Sequence, residues 1–170
     1  MDKKLIDALN KQLWEEVNSA YLYMAMSSDM KFKNWNGTAQ WFQAQAQEET
    51  MHAMKFYNYI HDRGEQPILP AIDQPQVSWD TSLDAFEATL KHEKHITSCI
   101  YSLVDKAREA HDHATEAFLQ WFVTEQVEEE SNADDIIQQM KMMGDSPQAL
   151  FLLDRELGAR QTTPQGSTAE

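Results

Sequence analysis

Four glutamates stand where the helical period asks for an apolar side chain. Glu16 falls in line with Leu9, Leu13, Ala20 and Tyr23. Glu49 falls in line with Phe42, Ala46, Phe56 and Ile60, and Glu93 with Phe86, Leu90, Ile96 and Ile100. Glu129 shares a row with Phe118, Trp121, Phe122, Ala133 and Ile136. Each row is the stripe that an amphipathic helix turns towards a core. A lone acid at a stripe edge reaches water along its methylenes. Four acids at matching depth cannot all do so, and an ionised carboxylate in a dry core is costly unless compensated. Gathered at one level they would repel and could not all stay charged. A pair of divalent cations balances four carboxylates, and His52, one turn from Glu49, adds a neutral nitrogen donor.

The spacing narrows the type of site. Glu-x-x-His puts both side chains on one helix face. Carboxylate di-metal sites in helical bundles draw a Glu from each of two helices and Glu-x-x-His from each of the other two. Here Glu16 and Glu93 are the single acids and Glu49-x-x-His52 is one paired motif. The fourth helix departs from the symmetric pattern with Gln126-x-x-Glu129. Oxygen-rich ligation with little nitrogen and no thiolate suits iron or manganese better than copper or a structural zinc.

The elements that must carry these groups are long helices with sparse punctuation. Asp2 is a plausible cap for a first helix running to about Lys33, and "KNWNG" (33–37) is a short break. A second helix spans about Thr38 to Arg63, with Gly64 placed to end it. Residues 65–81 hold three prolines and no usable period, so they form a connection. "TSLD" (81–84) fits a capping box opening a third helix to about Ala110. After "HDHAT" (111–115) a fourth helix reaches about Met143. Ser146-Pro147 then opens a short fifth helix through Leu157. Four helices of roughly 40–48 Å, and a connection able to extend to roughly 58 Å, predict an all-α fold. It is a four-helix bundle with one long crossover between helices two and three, plus a short fifth helix. Residues 1–157 are read as a single domain and 158–170 as a mobile tail.

Composition excludes other classes. The net charge of −14, without a basic stripe, argues against a nucleic-acid partner. No run reaches the length of a membrane span and the N-terminus lacks an apolar signal core. The single cysteine, Cys99, lies among Ile96, Ile100 and Leu103 and reads as a buried inert thiol. A soluble protein of a reducing cytoplasm is expected.

"LNKQLWEEVNSAYLYMAMS", "AQEETMH", "KHEKHIT" and "FLQWFVTEQVEEE", in this order and at these separations, resemble the bacterial non-haem ferritins over residues 1–157. The resemblance implies a ferritin-like fold and a first iron held at Glu16, Glu49 and His52. It implies a second iron at Glu93 and Glu129, with Glu49 bridging and Gln126 close by. Tyr23 matches a tyrosine beside the centre, where it would supply an electron or a hydrogen bond, or simply pack. Glu48, Glu125 and Glu128 match the acids of a third, more exposed iron site. The family assembles as a homo-oligomeric shell of 24 subunits, oxidises Fe²⁺ with dioxygen or peroxide and stores ferric mineral. Bacterioferritins differ in having a second Glu-x-x-His and a haem-binding methionine directly after the second-helix glutamate. Here those positions are Glu129 and Thr50, so no haem is expected. The second iron site, one histidine short of the symmetric version, should hold its metal less tightly. A carboxylate di-iron oxidase or peroxidase acting on a small substrate would use the same residues without a shell.

Outside these motifs, His92 and His95 are read as a solvated face. Leu150, Phe151, Leu153 and Leu157 of the fifth helix are available for contacts between subunits or for folding back on the bundle. Trp14, Trp35 and Trp79 are unassigned.

Overall fold

Asp2 opens the first helix, its Oδ1 accepting from the backbone N–H of Lys4 at 2.9 Å and of Leu5 at 3.2 Å. These are two of the donors that a helix start leaves free. The computed structural model describes residues 1–160. Its elements are α1 (Lys3–Phe32), α2 (Asn36–Asp62), α3 (Ser82–Glu109), α4 (His113–Met143) and α5 (Pro147–Leu157). Thr81 and Asp84 close the expected capping box on α3. Ser146 caps α5 with Pro147 in its first turn. Gly64, at φ 76°, ends α2: its N–H reaches His61 O while that of Glu65 reaches back to Ile60 O. This reciprocal pattern needs a left-handed residue at that point.

The crossover is tied down along the whole of α1. At one end the N-terminal ammonium of Met1 lies 3.5 Å from Glu65. Further on, Ile68 N–H donates to Asn10 Oδ1 (2.6 Å) and Trp14 Nε1 donates to Ala71 O (3.0 Å). At the far end Trp79 N–H donates to Asp29 Oδ2 (2.9 Å), and Lys33 reaches both Ser78 and the Trp79 carbonyl. The connection therefore runs from the start of α1 to its end, which makes α2 and α3 parallel. No helix among the described residues is long and apolar enough to cross a membrane.

Two apolar clusters fill the bundle. One gathers Tyr23, Met26, Met30, Phe42, Phe86, Ile137 and Met140. The other gathers Leu5, Leu9, Leu13, Phe56, Ile60, Ile96, Ile100, Leu119 and Phe122. The levels of Glu16, Glu49, Glu93 and Glu129 fall between them, so a polar belt divides the core.

Helix α5 folds back on its own bundle. Leu153 and Leu157 are buried in the first cluster, while Phe151 and Leu152 remain exposed. Trp35, at the start of α2, offers no side-chain cap. Asp154 of α5 supplies one instead, accepting from Gly37 N–H (3.0 Å), Thr38 N–H (2.8 Å) and Thr38 Oγ1 (2.8 Å). That outside cap lets α2 begin at Asn36, two residues before the expected Thr38. Gly37 is needed for the contact, because a Cβ there would lie 1.5 Å from the Asp154 carbonyl oxygen. Of the residues read as a tail, Gly158–Arg160 are described and Arg160 is held against α2; residues 161–170 lie outside the described residues.

Candidate metal centre

All four glutamates point inward, with exposures of 1% for Glu16, 2% for Glu49, 1% for Glu93 and 5% for Glu129. One donor atom each from Glu16, Glu49 and His52 falls within a 4.8 Å group. His52 Nδ1 lies 3.2 Å from Glu49 Oε2. A second group of the same size joins His52, Glu125 and Glu129. The expected second position lies at Glu93 and Glu129, with Glu49 bridging and Gln126 close by; here His52 and Glu125 are the groups that fall with Glu129. His52 Nε2 lies 3.9 Å from Glu125.

Glu93 is positioned by two donors. Tyr23, fully buried, donates its hydroxyl to Glu93 Oε1, and Gln126 donates Nε2 to Glu93 Oε2 at 3.1 Å. With its amide nitrogen so engaged, Gln126 keeps Oε1 free as an acceptor. The belt contains two further amides that the sequence reading missed. Gln45 Nε2 bridges Glu49 Oε1 (3.1 Å) and Glu129 Oε2 (2.7 Å), tying α2 to α4. Gln12 donates to Glu16 Oε1 at 2.8 Å. Both precede their glutamate by four residues, and that repeated Gln-x-x-x-Glu spacing was the available signal. Glu48 and Glu125 are half-buried at the margin of the belt, while Glu128 is exposed.

These carboxylates lack compensation. Among the described residues no Lys or Arg pairs with any of the four, and Glu16 Oε2 is buried without a hydrogen-bond partner. Burial, then the neighbouring Glu49 carboxylate, pushes Glu16 up to about 8. Burial, then Glu49 again, pushes Glu93 to about 8. Glu49 and Glu129 are raised by burial and by their neighbours: Glu129 acts on Glu49, and Glu93 on Glu129. Tyr23, buried beside Glu93, is raised well above the phenol value and stays a donor. Without cations the belt holds protons at neutral pH. Divalent cations would replace them and satisfy the orphaned oxygen.

The family model described as a ferritin-like domain matches residues 6–143. The bacterial non-heme ferritin of Staphylococcus aureus (strain USA300) is 40% identical over 160 residues, covering 94% of this chain and 96% of that protein. That of Staphylococcus epidermidis (strain ATCC 35984) is 39% identical over 165 residues, covering 97% and 99%. The chain belongs to the ferritin family. An open pore ferritin from the hyperthermophilic archaeon Archaeoglobus fulgidus superposes with a TM-score of 0.94 at 42% identity, covering 95% of this chain and 99% of that one. A humanized archaeal ferritin gives 0.95 at 41% identity, covering 96% and 99%. Iron binding and, in general terms, iron storage come with membership of the ferritins.

Two residues of this ferritin sit differently from their reading in the sequence. His92 is half-buried, its Nε2 2.7 Å from Ser19 Oγ and its ring edge-on to Tyr23. One residue before Glu93, it turns towards α1, whereas His95 is exposed. Cys99 is half-buried at the edge of the stripe, since Ile96, Ile100 and Leu103 define the buried line and position 99 falls to one side.

Proposed function

We propose that this ferritin oxidises Fe²⁺ at the belt and stores the ferric product in a hollow homo-oligomeric shell of 24 subunits, in a reducing cytoplasm. One observation carries the reading: four buried glutamates from four helices, none paired with a Lys or Arg among the described residues, gather around His52. Glu16, Glu49 and His52 would hold one Fe²⁺. Glu93 and Glu129 would hold the second, with Glu49 between them and Gln126 Oε1 facing the pair. Two Fe²⁺ side by side would each give up one electron, and dioxygen would receive both and, with two protons from solvent, leave as hydrogen peroxide. Hard carboxylate oxygens favour the Fe³⁺ product. The protein serves as template and charge balance.

The asymmetry of the belt supports transit of iron as substrate. The half near Glu93 offers an amide and a carboxylate, Gln126 and Glu129, where the symmetric pattern has a carboxylate and an imidazole, so with no nitrogen donor of its own it should release metal more readily. Glu48, Glu125 and Glu128 at the rim would receive the next ion. Glu93, fixed by Tyr23 and Gln126, keeps its orientation through each turnover, and Tyr23 serves as its hydrogen-bond donor.

The test adds two Fe²⁺ per chain aerobically to wild type and Glu49→Ala, after sizing by light scattering, and follows oxygen uptake and ferric absorbance. Fast oxidation by a large shell, lost in the variant, is expected. Equal slow oxidation by both proteins would remove the ferroxidase reading. Fast oxidation by a monomer or dimer would move it to a small-substrate oxidase.

A further inference from the structure

A second constellation lies between α1 and α3, beginning one residue before Glu16. Glu15 of α1 is buried, and His95 and Cys99 of α3 face it. His95 and Cys99 are four residues apart, the spacing that places two donors on one helix face. His95 Nε2 lies 3.4 Å from Glu15 Oε2 and 3.6 Å from Cys99 Sγ. One donor atom from each of the three falls within a 4.8 Å group.

Those separations match the edges of a tetrahedron around a metal. With bonds of about 2.3 Å to sulfur, 2.0–2.1 Å to nitrogen and 2.0–2.2 Å to oxygen, the sulfur–nitrogen edge is about 3.6 Å. The nitrogen–oxygen edge is about 3.4 Å on the same lengths. We propose that Glu15, His95 and Cys99 form a separate site for one borderline divalent cation of the zinc, cobalt or iron(II) class, with its fourth position open to water. The donor set differs in kind from the belt. One thiolate, one imidazole and one carboxylate suit a softer ion than an all-oxygen cage does. Binding displaces the Cys99 proton to solvent and leaves the ion with two anionic ligands and no redox step.

The surroundings allow access. A pocket of about 260 Å³ opens beside Cys99, lined also by Lys11, Gln12, Glu15 and Lys106. Lys11 Nζ lies 3.8 Å from Glu15 Oε1, the oxygen not facing His95, and its side chain is 68% exposed. It can swing into solvent when a cation arrives. Gln12 lines this pocket and also donates to Glu16, so the two sites share one amide as a wall.

Co²⁺ is the probe, because thiolate ligation gives a near-ultraviolet charge-transfer band and tetrahedral ligation an intense visible spectrum. Cys99 is the sole cysteine, so any thiolate band arises from it. Reduced full-length protein titrated with Co²⁺ should develop the band to saturation at one ion per chain. Cys99→Ser, close to isosteric, should abolish it. His95→Ala should weaken it at least tenfold in apparent affinity. Glu49→Gln should leave it unchanged, which separates this site from the belt and makes its fate independent of the ferroxidase reading. Absence of the band in wild type would overturn the proposal, as would its persistence in Cys99→Ser. Unaltered affinity in His95→Ala, or loss in Glu49→Gln, would also overturn it.

Discussion

Buried carboxylates serve two regions of this bundle in opposite ways. At the end of α1, burial would raise Asp29, but Lys33 Nζ at 2.7 Å, the Trp79 N–H at 2.9 Å and Ser78 Oγ at 3.3 Å all donate to it. The balance holds its carboxyl below the usual range. In the belt, Glu16 and Glu93 are driven to about 8 by burial and then by the Glu49 carboxylate they share as a neighbour. The first arrangement is satisfied by the chain itself and fastens the crossover to α1. The second is left short of positive charge, and the protein carries that deficit between two apolar clusters that could have merged. A fold gains nothing in stability from such a belt. Its use lies in what it binds.

The widest separation between the two regions should appear with pH in metal-free protein. Glu16 and Glu93 have folded values of about 8 against an ordinary 4.5. Between those limits the folded chain binds more protons than the unfolded one, so raising pH destabilises it. The group at Arg63 and Asp112 has the opposite sign. Arg63 holds Asp112 at about 2 against an ordinary 3.8, so its contribution is present above 3.8 and disappears as pH falls through about 2. The unfolding free energy in chelator, from denaturant titrations, should fall by several kcal/mol across the window from 4.5 to about 8, and the midpoints with it. Excess Mn²⁺ should abolish the fall, and Glu49→Gln should flatten it. A midpoint that climbs through this window without metal would mean the belt is compensated by the chain.

Substitution at Asp29 gives the next largest effect, in the other direction. Asp29→Ala leaves the buried Trp79 N–H without its acceptor and Lys33 without its partner. A cost of about 3 kcal/mol is expected, insensitive to divalent cations. Chemical denaturation with and without Mn²⁺ checks both parts. A loss that metal restores would place Asp29 with the belt after all.

The belt was legible in the sequence because its glutamates interrupt four separate apolar rows, and burial bears out each interruption. Helix boundaries followed from local chemistry: Asp2, the Thr81–Asp84 box, Gly64 and Ser146-Pro147 act within one turn. What escaped notice depends on contacts between distant segments. Nothing near Trp35 announces that α2 takes its cap from Asp154, 116 residues beyond Thr38. Cys99 was misplaced because a three-residue step from Ile96 looks apolar on a wheel, yet its true neighbours are Glu15 and His95. Gln12 and Gln45 were readable but overlooked, since an amide on an apolar row stands out less than an acid.

Asp154→Ala sharpens the comparison at a site where a carboxylate is satisfied mainly by backbone. Losing three accepted hydrogen bonds at the start of α2 should cost about 1–2 kcal/mol. Amide exchange should rise in α5 and at Gly37–Thr38 while exchange in the belt stays slow. An unchanged exchange rate in α5 would mean that Leu153 and Leu157 alone hold the helix.

The smallest expected effect on stability belongs to Arg160, where a chain-supplied cation meets the rim of the uncompensated region. Its guanidinium donates to Gln45 Oε1 at 2.8 Å and to Glu48, and it lies 4.4 Å over the Trp41 ring. An ion pair so near the surface contributes about 1 kcal/mol or less, so Arg160→Ala should barely move the denaturation midpoint. The variant should, however, free Glu48 and release the Gln45 carbonyl oxygen. If Arg160 occupies the place of a cation, divalent affinity at the rim should tighten severalfold, with no change at the two belt positions. Isothermal titration with Mn²⁺ resolves these classes, and Trp41 fluorescence reports whether the guanidinium leaves its ring as metal enters. Weaker rim binding in the variant would give Arg160 the opposite role, that of a brace holding Glu48 in place for the ion.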